Sequence, residues 1–281
     1  MAKIPINPRL PPEQELEIGV FAEWLADDRF PHGKRIEPIE AESVGIGVIQ
    51  GHYGDQFDGM LEHDGGRFYI YCNLDRAVSL TSPRARFTLA HELGHYFIPE
   101  HRNALKSGRA PTHPSHCDHE SKNPVEMEAD HFASCLLLPS QRFHKQVKKV
   151  EEGLKGICQL AGIFGTSLTS TAIRYAKLDL SQCVVIKWGN EQYNWKWLSP
   201  SAYAGKWRKT IEEPAKLLQG SATEQVMSGS ASGNEVVTRG STASCWFPYV
   251  WSDTILKEEA VSLGQFGTLT LLRTADTKNK K

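Results

Sequence analysis

The chain has 281 residues, 40% of them hydrophobic and 23% charged, with a formal net charge of −1. This apolar content excludes wholesale disorder and the length predicts about two domains, while the charge balance excludes the global electrostatic footprint of a nucleic-acid binder. No run reaches the roughly 18 apolar residues of a spanning helix and the amino terminus lacks the apolar core of a signal peptide, so the expectation is a cytoplasmic chain with no membrane partner.

After a Pro-rich lead, PEQELEIGVFAEWLADD predicts an amphipathic helix over 13–26. Alternating runs at 44–50, 57–63 and 67–74 predict two or three strands of a small sheet. SPRARFTLAHELGHYFIPE predicts a bounded helix: Ser82 caps it, Pro83 suits its first turn, and Pro99 pushes Ile98 out of helical geometry. Residues 100–124 are polar and turn-rich and read as a loop. A second helix opens at Pro124 and stops at Pro139. A basic amphipathic stretch follows, then two short helical segments, 153–164 and 168–177, joined by Gly-Thr-Ser. Beyond Leu180, CVVIKW and EQYNWKW predict a hairpin around Gly189-Asn190. A Gly/Ser-rich loop over 220–234 and two strand-like runs, TASCWFPYVW and GTLTLLRT, complete a sheet-rich last third. The six cysteines are scattered with no C-x-x-C pair and read as free thiols.

Eight of the 11 histidines lie between His91 and His144, and none follows. HELGH at 91–95 places His91 and His95 four apart on one helical face, where two imidazoles can hold one ion. Neutral imidazole suits zinc, and Glu92 between them can take a proton from a water there as general base. The third ligand must come from another element. Glu126 and Asp130 share a face of the second helix, and Ala129 and Ala133 on that side permit close approach. Glu126 is favoured as ligand, with Asp130 holding the outer nitrogen of a ligand histidine. Glu128 lies about 200° around the axis from Glu126, so both cannot face one ion.

Other candidates carry weaker patterns. HPSHCDH, with His113, His116, Cys117 and His119, fits no standard ion spacing and reads as a polar loop. His131 reads as packed or solvated, and Arg86 as a buried ion-pair anchor. His144, Arg174 and Tyr175 are candidates for a hydrogen-bond donor to a developing oxyanion. The 153–177 pair has helix-turn-helix proportions, and Arg174 and Lys177 could meet DNA, against which stands the absence of net positive charge. The tryptophans of the last third read as core or cross-strand pairs.

RFTLAHELGHYFIPEHR followed by VEMEADHFASCLLLP resembles the ImmA/IrrE family of metallopeptidases. The resemblance covers about residues 40–180, including SLTSTAIRYAKL, which is similar to the helix-turn-helix-like region after the peptidase core. Leu138 stands where a methionine is usual, a volume-conserving departure. The resemblance implies an intracellular Zn²⁺ endopeptidase with His91, His95 and Glu126 as ligands and Glu92 as base, acting on a helix-turn-helix repressor. It also implies an α+β fold: a zincin-like peptidase domain over 1–150 and a helix-turn-helix-like segment over 151–180. A sheet-rich domain over 181–281 for sensing or substrate docking would follow. The alternative is a DNA- or repressor-binding regulator with a vestigial zinc site.

Overall fold

In the computed structural model, the three alternating runs near the amino terminus and a short strand from residues 113–115 form a four-stranded sheet against the HELGH helix. The structure describes residues 10–31, 35–38, 45–109, 112–116, 123–189, 192–204, 217–229, 235–247 and 254–274. The described residues fall into two compact units, one within Pro8–Lys148 with Leu160–Ser167, the other within Lys149–Gln159 and Leu168–Lys281. The fold class is α+β.

The first unit opens with α1 (Pro12–Arg29), followed by β1 (Gly47–Gly51), β2 (Gly59–Asp64) and β3 (Arg67–Asn73). The HELGH helix is α2 (Pro83–Phe97); α3 (Pro99–Lys106), β4 (His113–Ser115), α4 (Pro124–Leu137) and α5 (Ser140–Val147) come after it. Strand order is β1-β3-β2-β4. β1 runs parallel to β3, whereas β2 pairs antiparallel with both β3 and β4.

The caps of the two central helices follow the expected chemistry. The Ser82 hydroxyl accepts from the Ala85 amide at the start of α2, and Asn123 accepts from Val125 at the start of α4. α2 packs on β2 and β3 with one side and on α4 with another, and α1 covers α4. The close approach is set at Gly94, where a Cβ would lie 3.1 Å from Cα of Ala129 and 3.2 Å from its carbonyl oxygen. Arg86 is fully buried, pairs with Glu37 and donates to the carbonyls of Ile36 and Phe164, an anchor role as expected.

The stretch expected as a loop over 100–124 contains α3 and β4 instead. Pro99 both ends α2 and occupies the first turn of α3, and His101 turns inward and is buried.

After α5 the chain forms α6 (Leu154–Phe164) and α7 (Leu168–Lys177), with Gly165 at φ 64° between them. The second unit then has β5 (Cys183–Trp188), β6 (Tyr193–Leu198), α8 (Pro200–Ala204), α9 (Ala222–Met227), β7 (Val237–Thr242), α10 (Ala243–Trp246), β8 (Ile255–Ser262) and β9 (Thr268–Thr274). Its five strands run in the order β6-β5-β9-β8-β7, antiparallel throughout. Trp188, Trp246, Phe247, Leu256 and Leu272 form its core. The β5–β6 hairpin is as expected, although Asn190 lies outside the described residues, as does Trp251. The Gly/Ser stretch contributes α9, and within TASCWFPYVW residues 243–246 are helical rather than extended. Among the described residues, Cys72, Cys135, Cys158, Cys183 and Cys245 are free thiols, and no single helix is long and apolar enough to cross a membrane.

Candidate metal centre

HELGH lies in the third and fourth turns of α2, where the His91 and His95 rings meet edge to face, 4.8 Å between centroids, and α4 brings Glu126 across the helix interface to both. Nε2 of His91 is 3.0 Å from Nε2 of His95. The Glu126 carboxylate completes the triangle, with one oxygen 3.3 Å from Nε2 of His91 and the other 3.4 Å from Nε2 of His95. All three side chains are buried.

Donors at 2.0–2.1 Å from a tetrahedral zinc stand about 3.3 Å apart. The separations of 3.0–3.4 Å are close to that spacing, with a different Glu126 oxygen against each imidazole, and a donor set of two imidazoles and one carboxylate leaves one of four positions open. A divalent metal therefore fits this cluster.

The outer nitrogens are also held. Nδ1 of His91 lies 2.8 Å from Oδ1 of Asp130, one turn beyond Glu126 on α4. In the absence of a metal, burial pulls the His91 pKa down, but hydrogen bonds to Asp130 and Glu126, with the charges of Asp130 and Glu92, outweigh it and lift it to about 10. Nδ1 of His95 lies 3.1 Å from Nδ1 of His101, whose Nε2 is 2.9 Å from Oε2 of Glu128. Burial and the neighbouring His95 hold His101 below the ordinary imidazole range.

Glu92 is fully buried and faces β2. A Cβ on Gly59 would sit 2.8 Å from Oε1 of Glu92 and 2.3 Å from Cγ2 of Thr88, so the glycine makes the space the carboxylate occupies. Just before it, Asp58 is buried under Arg76 and Arg84, which donate to its carboxylate and anchor the start of β2.

Residues 77–175 match the model of the peptidase M78 family, described as the IrrE N-terminal-like domain. Over these residues the chain carries an IrrE N-terminal-like domain. A solved structure described as a Mycobacterium tuberculosis transcriptional regulator shares the fold, with a TM-score of 0.60 and 11% identity over 92% of this chain and 74% of that one. No curated protein matches.

The IrrE-like domain thus gathers His91, His95, Glu126, Glu92 and Asp130 in one place, and Glu128 is turned to a different partner. The remaining candidates lie elsewhere. His116 is exposed; the side chain of His113, Cys117 and His119 lie outside the described residues. His131 is packed, its Nε2 bonded to the Glu15 carbonyl at 2.8 Å. His144 is exposed on α5 and bonds the Ser140 carbonyl one turn back. In the second unit Arg174 and Tyr175 are buried, and the Lys177 ammonium lies 4.9 Å from the centroid of the Trp197 ring. Sequence reasoning missed His101 and Gly59. The usable signal for His101 was the helix-starting Pro99 two residues before it.

Proposed function

We propose that this chain is a zinc-dependent endopeptidase of a protein substrate, a helix-turn-helix transcriptional repressor. The observation that carries the reading is a buried carboxylate, Glu92, beside a buried cluster of two imidazoles and the Glu126 carboxylate whose nitrogens and oxygens lie 3.0–3.4 Å apart. The peptidase family of residues 77–175 supports it. The fold shared with a protein described as a transcriptional regulator supports a regulatory setting.

In this reading His91 and His95 bind the metal through Nε2 and Glu126 through its carboxylate. A bound zinc supplies Lewis-acid chemistry, polarising a peptide carbonyl and acidifying a water. Asp130 accepts the Nδ1 proton of His91 and so keeps its Nε2 lone pair directed inward. Glu92 accepts a proton from the attacking water on its carboxylate and returns it to the departing amine. The hydrolytic machinery lies in the peptidase domain, 1–150, with the helix-turn-helix-like segment 151–180 beside it in sequence, and residues 181–281 govern substrate choice or response to a signal. The burial of Arg174 and the seat of Lys177 on Trp197 support this reading over DNA contact by α7.

The test is incubation with a helix-turn-helix repressor encoded beside this chain, with and without a chelator. The expected result is discrete repressor fragments that chelation abolishes. A repressor that stays intact in a complex with the zinc-loaded chain would overturn the reading and favour a binding regulator.

A further inference from the structure

The two histidines of HELGH are supported differently. His91 has a carboxylate directly on its outer nitrogen, whereas His95 has another imidazole. Four side chains from four helices stand in line behind Nε2 of His95: His95 on α2, His101 on α3, Glu128 on α4 and Gln14 on α1. His101 is buried, and Gln14 donates to Oε1 of Glu128 at 2.6 Å, leaving Oε2 for His101.

Donor and acceptor counting fixes the protons along this line. A carboxylate only accepts, so the Nε2 of His101 carries hydrogen and donates to Glu128. A neutral imidazole has a single N–H, which leaves Nδ1 of His101 bare and able only to accept. Nδ1 of His95 must then carry hydrogen and donate to it. The remaining nitrogen of His95, Nε2, is bare, and it is the one facing His91 and Glu126. If His101 were instead protonated at Nδ1, His95 would have to accept there and place its own hydrogen on Nε2, where no metal could bind.

We propose that His101, held by Glu128 and Gln14, is a positioning residue that fixes His95 in its metal-ligating tautomer. This rests on the reading of His91, His95 and Glu126 as metal ligands. It also gives Glu128 a role that its place on the far side of α4 from Glu126 would otherwise lack: His101 bridges a gap that the carboxylate does not span itself.

The test combines zinc affinity, by competition with a chelating dye, with long-range ¹H–¹⁵N spectra of the imidazoles in the full chain. In the wild type the spectra should show His101 protonated at Nε2 and His95 at Nδ1. His101→Phe, similar in bulk but without either nitrogen, should weaken zinc binding about 10- to 100-fold. His101→Gln carries an acceptor and a donor on one planar group and should recover most of that loss, which a purely space-filling role would not. Should His101→Phe fail to fold, the wild-type tautomers and the Gln variant decide. A proton on Nδ1 of His101, or zinc bound as tightly by His101→Phe as by the wild type, would overturn the proposal alone. A wild type that binds no zinc would overturn the metal reading and the proposal with it.

Discussion

Glu92 can be enclosed between α2 and β2 because position 59 has no side chain. The Glu92 carboxylate is the group that would take a proton from a water in the site. Glu92→Gln preserves shape but cannot accept that proton. It is expected to retain zinc while cleavage falls by about 10²- to 10⁴-fold; unchanged cleavage in the Gln variant, followed by mass spectrometry of the fragments, would remove Glu92 from the mechanism. At this scale most of the cluster was legible in the sequence. Helical spacing alone puts His91 with His95 and Glu126 with Asp130, and excludes Glu128 from the same ion. His101 was not legible, since its neighbours Glu100, Arg102 and Asn103 give the stretch the polarity of a loop. Only the tertiary approach of α3 to α2 buries the imidazole.

The cluster depends on two helices that touch almost backbone to backbone. A Cβ at Gly94 would already crowd Ala129 and the Cβ of Phe132, at 3.1–3.3 Å, and His91, His95 and Glu126 lie within a turn of this contact along their helices. Gly94→Val is expected to destabilise the chain by about 1–3 kcal/mol through overpacking and to weaken zinc binding as well, by moving Glu126 away from the imidazoles. Urea titration and dye competition on the same protein check both. A variant with normal affinity would mean the ligand triangle tolerates a wider helix separation. Element recognition from sequence was uneven for physical reasons. α2 and α4 announce themselves through caps and bounding prolines. β8 does not, because Glu258 and Glu259 stand in its middle. Both are buried, the first accepting from the amide and hydroxyl of Thr223, the second from Arg273. α10 was expected as strand because TASCWFPYVW is rich in strand-forming residues, yet Ala243 and Trp246 are buried at a helical spacing.

For the molecule as a whole, the buried thiols and a tyrosine set an alkaline limit on stability. Burial, reinforced by Glu92 and Asp58, pushes the Cys72 thiol up to about 11. Burial lifts Cys183 and Tyr193 to about 12 each. In the unfolded chain cysteine and tyrosine ionise at roughly 8.5 and 10. A folded pKa above the unfolded one contributes stability that is complete below the unfolded value and is lost as pH rises through the folded one. The raised His91 acts the same way from roughly 6.5 upward, so the urea midpoint of the metal-free chain is expected to fall from neutral pH and to fall more steeply between about 9 and 11. A midpoint that is flat across that interval would show that these groups ionise as freely in the fold as outside it.

The metal content of the chain is the most direct measure of the His91, His95 and Glu126 cluster. Zinc per chain, measured by elemental analysis after loading and dialysis, should be one for the wild type and for Glu92→Gln, and close to zero for Glu126→Gln. Two imidazoles and one carboxylate close a three-donor site, and removing the carboxylate charge opens it. A wild type without zinc, or zinc fully retained in Glu126→Gln, would contradict a three-donor metal site.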